Sequence, residues 1–163
     1  MERLFSPWRS QYIASFFDES GSGKSCVLCS AHQTNSDDDN FIVIRGKRCY
    51  VVMNLFPYNS GHVMVVPYRH TPAFADLDEE ECSEVMSLLK KLMVALQKTS
   101  HPDGFNIGSN IGRSAGAGID KHVHFHLVPR WNGDTNFMPT LADTKLISED
   151  MRETLLRLRQ ALQ

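Results

Sequence analysis

The chain has 163 residues, 42% hydrophobic and 22% charged, enough to bury one proper core and within the range of a single globular domain. A formal net charge of -2 with no basic block argues against broad nucleic-acid affinity. The longest apolar runs are strand-sized, so no segment is expected to span a membrane.

Residues 1–8 carry no apolar h-region and no cleavage pattern, and no signal peptide is expected. Pro7-Trp8-Arg9 and the aromatic group Tyr12, Phe16 and Phe17 read as an arm over 1–25, packed on the domain or on a second subunit. Gly21-Ser22-Gly23-Lys24-Ser25 imitates a phosphate loop, but that motif needs glycine five places before Gly23, where Asp18 stands. Neither a preceding strand nor a following helix is indicated, and the stretch reads as a flexible loop.

Cys26 and Cys29 have the spacing of a zinc half-site, with a redox pair or two unrelated buried thiols as the rivals. Further donors would come from His32, His62, His70, His101 or His122. Four cysteines in all suit a reducing cytoplasm better than a disulfide scaffold. Asp37-Asp38-Asp39-Asn40 lacks the alternation and glycine of a calcium loop and reads as a solvated turn.

Phe41 to Ile44 and Cys49 to Met53 are expected as strands around a turn at Gly46. A Pro/Asn/Gly connection from Asn54 to Gly61 leads into a third strand, His62 to Pro67, completing an antiparallel meander. Asp78-Glu79-Glu80-Glu81 opens a helix with Asp78 as cap and Glu81 at the capping-box position. Cys82, Val85, Met86, Leu89, Leu92, Met93 and Leu96 follow at helical steps as its core stripe. The helix ends near Thr99-Ser100-His101-Pro102. Gly104 to Asn110 alternates as a fourth strand. The glycine-rich Gly112 to Gly118 is by composition equally an ordinary hairpin loop or one that lets backbone amides approach an anion, and the histidines beside it favour the anion.

Three of the 7 histidines, His122, His124 and His126, then alternate strictly with Val123, Phe125 and Leu127. A period of two predicts a strand with the imidazoles on one face and the apolar set on the core, ended by Pro129. The outer two backbones would stand roughly 13 Å apart at strand rise. Zinc–nitrogen bonds of about 2.0–2.1 Å would hold all three rings only on a bent strand. A division of labour, with the middle ring acting, is the easier arrangement. Ser148 starts a final helix with Glu149 and Asp150 in its first turn and Met151, Leu155, Leu158 and Leu162 as its apolar stripe.

His122-Val123-His124-Phe125-His126-Leu127-Val128 resembles the signature of the histidine triad (HIT) superfamily. Asn54 with His62, inside Asn-x-x-Pro-x-x-x-Gly-His, is similar to that family's ribose-binding strand and turn, and Asn110 matches its phosphate-contacting amide. Pro7-Trp8-Arg9, Pro129-Arg130-Trp131 and Gly133 to Pro139 resemble a bacterial subgroup that includes diadenosine tetraphosphate phosphorylases. The resemblance implies an α+β HIT-like fold: an antiparallel sheet of about five strands with a long packing helix and a C-terminal helix. The whole of 1–163 would be a single HIT domain, its core over about 26–130 and a C-terminal extension over 131–163.

The resemblance also implies chemistry. His124 would attack the α-phosphorus of an adenine (di)nucleotide to form a nucleotidyl-histidine, and His126 would help the leaving group. His122 would support the site. Asn54 and His62 would hold the ribose side, with Asn110, Gly116 and Gly118 stabilising phosphate charge. Structural zinc on Cys26, Cys29, His70 and His122 is implied, as are a homodimer and a cytoplasmic setting, and no organic cofactor. Water, phosphate or a sugar phosphate could accept the nucleotidyl group; His126 stands where the uridylyltransferases typically carry glutamine, which argues against the sugar. The rival functions are a catalytically weak AMP-binding protein and a metallohydrolase using the histidine cluster.

Overall fold

One antiparallel sheet organises the chain, and it exists because two of its strands are apolar on both faces. The computed structural model describes residues 26–135, 147 and 150–163. The N-terminal arm, the Gly21–Ser25 loop, Asn136 to Pro139, Ser148 and Glu149 lie outside the described residues. The strands are β1 (Ile42–Arg45), β2 (Cys49–Met53), β3 (Val63–Pro67), β4 (Gly104–Gly108) and β5 (Phe125–Arg130), in spatial order β1-β2-β3-β5-β4. Every residue of β2 and β3 is buried, so they form the centre and read as continuous hydrophobic runs.

Alternate residues divide between two clusters. Cys49, Val51, Met53, Val63, Val65 and Leu127 face two helices, α2 (Glu79–Ser100) and α3 (Met151–Ala161). Tyr50, Val52, Met64 and Val66 face the other way, towards Leu28 on α1 (Val27–Gln33). This first helix was not expected from the sequence, because a seven-residue helix with a single buried residue, Leu28, has no apolar period to display.

Helix α2 begins as expected: the Asp78 side chain accepts from the Glu81 amide while the Glu81 side chain accepts from the Asp78 amide. Val85, Leu88, Leu89, Leu92, Ala95 and Leu96 are buried along it, each leucine contributing about 1.5–3 kcal/mol. Met86, expected in that stripe, is instead exposed. It follows Val85 by about 100° of helical rotation, which carries it past the edge of the buried face. Glu84 accepts from the amides of Lys47, Arg48 and Cys49, tying the β1–β2 turn to α2. On α3, capped by Asp150, Leu155 and Leu158 are buried as the stripe required. Arg159 there bonds the Ile42 carbonyl and Asp38, fastening α3 to β1.

Two expectations about the histidine segment are corrected. The ladder of β5 starts only at Phe125, so His126 lies within it while His122 and His124 precede it. The Val123 amide is taken by the Thr71 carbonyl at 2.7 Å, which peels residues 122–124 away from β3. Pro129 also does not end the strand, which continues to Arg130. Its carbonyl accepts from Asn59, and in a strand the missing N–H points to that same side, beyond the reach of β3. No helix among the described residues is long and apolar enough to cross a membrane.

Gly61 shows why the connection before β3 needs glycine. It has φ +73°, and a Cβ there would stand 3.0 Å from Leu96 Cδ2 and 3.4 Å from Pro129 Cγ. Gly61→Ala is expected to lower unfolding stability by about 1–3 kcal/mol, read from urea denaturation, because it combines a strained backbone with a crowded core.

Candidate functional site

Four histidines and an asparagine meet where β3 and β5 begin. His62, directly after Gly61, is fully buried. Its Nδ1 accepts from the Tyr58 amide at 3.1 Å, with Asn54 Nδ2 at 3.3 Å beside it. An amide can only donate, so the His62 proton resides on Nε2 and points at His126 Nδ1, 2.9 Å away. His126 then carries its own proton on Nε2, on its far side. The His124 and His126 rings stand 4.9 Å apart at 78°.

Backbone carbonyls set the other two rings. His124 donates from Nδ1 to the His122 carbonyl at 2.8 Å, leaving the lone pair on Nε2. Burial lowers the His124 pKa from its ordinary value, against that hydrogen bond, so the ring is neutral near pH 7. His122 donates from Nε2 to the Pro67 carbonyl at 2.9 Å, which turns its Nδ1 towards the cysteines. Burial pushes the His122 pKa down to about 4.

That Nδ1 belongs to a second cluster. Cys26, Cys29, His70 and His122 place their donor atoms within 4.8 Å of one another. Sulfur–nitrogen distances are 3.4 Å for Cys26–His122, 3.5 Å for Cys29–His122 and 3.3 Å for Cys29–His70, and the two Nδ1 atoms are 3.3 Å apart. A tetrahedral zinc ion with Zn–S of about 2.3 Å and Zn–N of about 2.0–2.1 Å needs donor separations of roughly 3.3–3.8 Å. The donor set fits zinc in number, type and spacing, and the Pro67 carbonyl fixes the tautomer of one ligand. Burial, with Cys26 beside it, pushes the Cys29 thiol up to about 11; a bound cation would draw off that proton.

The glycine-rich segment closes the site from the β4 side. Ser109, next to Asn110, donates its hydroxyl to the His124 carbonyl at 2.7 Å. Gly112 and Gly116 have φ +79° and +85° and flank a single tight turn over Arg113–Ala115. A Cβ at either would meet nothing within 4 Å, so these glycines serve backbone conformation and open access rather than packing.

Several positioning residues were not singled out from the sequence. The Tyr58 ring lies tilted against His62, centroids 4.7 Å apart, and its backbone supplies the amide that sets the His62 tautomer. Ser109 holds the His124 carbonyl. Asp134, almost buried, accepts from Arg130, from the Trp131 amide and from Asn59, which also reaches the Pro129 carbonyl. This network pins the Asn54–Gly61 connection to the end of β5. No local period marks such residues; only the bracketing Gly-His and Pro-Arg-Trp motifs lie near them.

A histidine cluster on two neighbouring central strands, beside a glycine-rich turn, defines the class. The sequence profile of the HIT domain matches residues 35–133, and the chain belongs to the HIT family, as a nucleotide-processing enzyme. A Mycobacterium tuberculosis protein named AP-4-A phosphorylase is 39% identical over 157 residues, covering 94% of this chain and 80% of that protein. An adenosine 5'-monophosphoramidase of Schizosaccharomyces pombe is 34% identical over 80 residues, 49% of this chain and 56% of that one. Among solved structures, a zinc-bound histidine triad family protein from Mycobacterium smegmatis has a TM-score of 0.69 at 27% identity, covering 85% of this chain and 93% of that one.

The Arg130 guanidinium holds the Asp134 carboxyl well below the usual carboxylate range. A depressed folded-state pKa stabilises the fold above the unfolded value of about 3.9 and loses that contribution as pH falls towards the folded one. Asp134→Asn should therefore unfold at lower denaturant than wild type at pH 7, with the gap narrowing below about pH 4.

Proposed function

We propose that the chain is a dinucleoside polyphosphate phosphorylase or hydrolase acting through a nucleotidyl-histidine. The observation that carries this reading is the free Nε2 lone pair of His124, created by the bond from its Nδ1 to the His122 carbonyl. That nitrogen attacks the α-phosphorus, forming a P–N bond and breaking the P–O bond to the rest of the polyphosphate. The departing oxygen accepts a hydrogen bond from the Nε2–H of His126, which the His62 proton on the other side of that ring holds in this tautomer, and leaves as an anion with the electron pair of the broken bond. Asn54 holds the ribose. Asn110 and the amides around Gly116 and Gly118 stabilise charge on the equatorial oxygens.

In the second half, a phosphate oxygen, or water that loses a proton to solvent, attacks the same phosphorus, and His124 leaves with the electron pair of the P–N bond. The 39% identity to a protein named AP-4-A phosphorylase supports diadenosine tetraphosphate as substrate and phosphate as acceptor. The kinship to a monophosphoramidase supports the same first step on adenylyl substrates. Incubation with diadenosine tetraphosphate is expected to yield ADP and ATP only when inorganic phosphate is present. AMP and ATP in plain buffer would make it a hydrolase instead. A labelled adenylyl-protein should form in wild type and in His101→Ala but not in His124→Ala; its retention in the latter would end this mechanism.

Cys26, Cys29, His70 and His122 would hold a structural zinc ion, which when bound clamps α1, the turn after β3 and the histidine segment together. Four protein donors leave no open coordination position, and His124 and His126 lie outside the set, which favours this over metal-activated hydrolysis. Zinc removal by chelator, or Cys29→Ser, should lower the melting temperature together with activity, and readdition of zinc should restore both to the chelated wild type. Pairing of two chains along β4, the outer strand with Ile107 half-exposed, is the homodimer this reading favours.

A further inference from the structure

The glycine-rich turn carries a cation whose place the reading so far leaves unused. Arg113 opens the tight turn between Gly112 and Gly116, and its Nε meets Asp120 Oδ2 at 2.6 Å. Its side chain is 69% exposed and that of Asp120 26%. The pair spans the segment from its apex to the residue just before Lys121-His122. The segment's other end is held by Ser109 on the His124 carbonyl. Exposed ion pairs of this kind add little to stability. Here the pair instead fixes a guanidinium at the start of the glycine-flanked turn.

The chemistry asks for such a group. Expulsion of a polyphosphate from the α-phosphorus leaves an anion that the single N–H of His126 stabilises only in part. A planar guanidinium matches phosphate oxygens in fork geometry. We propose that Arg113, oriented by Asp120, is a specificity-determining residue that grips the phosphates beyond the α-position and so selects polyphosphate substrates over adenylyl compounds without that tail. This rests on the nucleotidyl-transfer reading of the same site. Asp120 serves as a positioning residue, and the Arg113 charge holds its carboxyl below the ordinary range.

The test uses the full chain with Arg113→Gln, Arg113→Lys and Asp120→Asn. Binding of AMP and of ATP is measured by calorimetry, and kcat/KM for diadenosine tetraphosphate and for adenosine 5'-phosphoramidate by product analysis. A lost charge-assisted contact is worth roughly ten- to a hundredfold. Arg113→Gln should weaken ATP binding by about that factor while changing AMP binding less than about twofold. It should lower the ratio of the two kcat/KM values in step, with Arg113→Lys recovering part of the loss. Asp120→Asn, which keeps the cation but not its orienting partner, should lose part of the preference, less than Arg113→Gln does, and leave AMP binding unchanged. Equal losses on both nucleotides, or an Asp120→Asn variant as impaired as Arg113→Gln on both, would assign Arg113 to loop structure and overturn the proposal. The binding arm decides this even if no adenylyl-histidine forms, and that separate result would strike only the nucleotidyl-transfer reading.

Discussion

His122 is held at three atoms, and the site depends on this. Its Nε2–H is bound by the Pro67 carbonyl, its Nδ1 faces two thiols and a second imidazole, and its own carbonyl receives the Nδ1–H of His124. One residue therefore links the end of β3, the Cys/His cluster and the ring with the free lone pair. Because a neutral imidazole has one N–H, each of these bonds dictates the state of the next nitrogen along. A side chain that in isolation could adopt either tautomer is left with one.

The same logic runs through the other pair of rings. The Tyr58 amide fixes His62, and His62 fixes His126. Both chains of hydrogen bonds start from main-chain groups, which cannot change role, and both end at Nε2 atoms. They deliver opposite properties: a lone pair on His124 and a proton on His126. Two identical residues in one short motif are thereby differentiated by their backbones, without a charged neighbour in either chain.

Rigidity around these rings is bought far from them. The sheet is covered on one face by α2 and α3 and on the other by α1, with β2 and β3 buried throughout. Asp134 and Asn59 join the connection before His62 to the strand after His126, so the two segments that set the rings move as one. In the glycine-rich turn, by contrast, a Cβ at Gly112 or Gly116 would meet nothing within 4 Å, and the Arg113–Asp120 pair ties the turn to the residues before His122.

Local order was legible in the residues themselves. Period-two runs marked the strands, the Asp78–Glu81 box and its stripe marked α2, and the alternation of His122 to Leu127 marked a histidine face, since each signal repeats within one or two turns of chain. The motif's resemblance named the four residues of the Cys/His cluster and the histidines that meet beside it. Tertiary structure alone decided the rest: that α1 forms over Cys26 and Cys29, that the ladder stops at Phe125, that Met86 is exposed, and that His62 lies buried against His126, 64 positions away. Such outcomes depend on which distant donor reaches a given carbonyl or ring nitrogen. No local spacing encodes that, because it is fixed only when sheet, helices and loops close on one another.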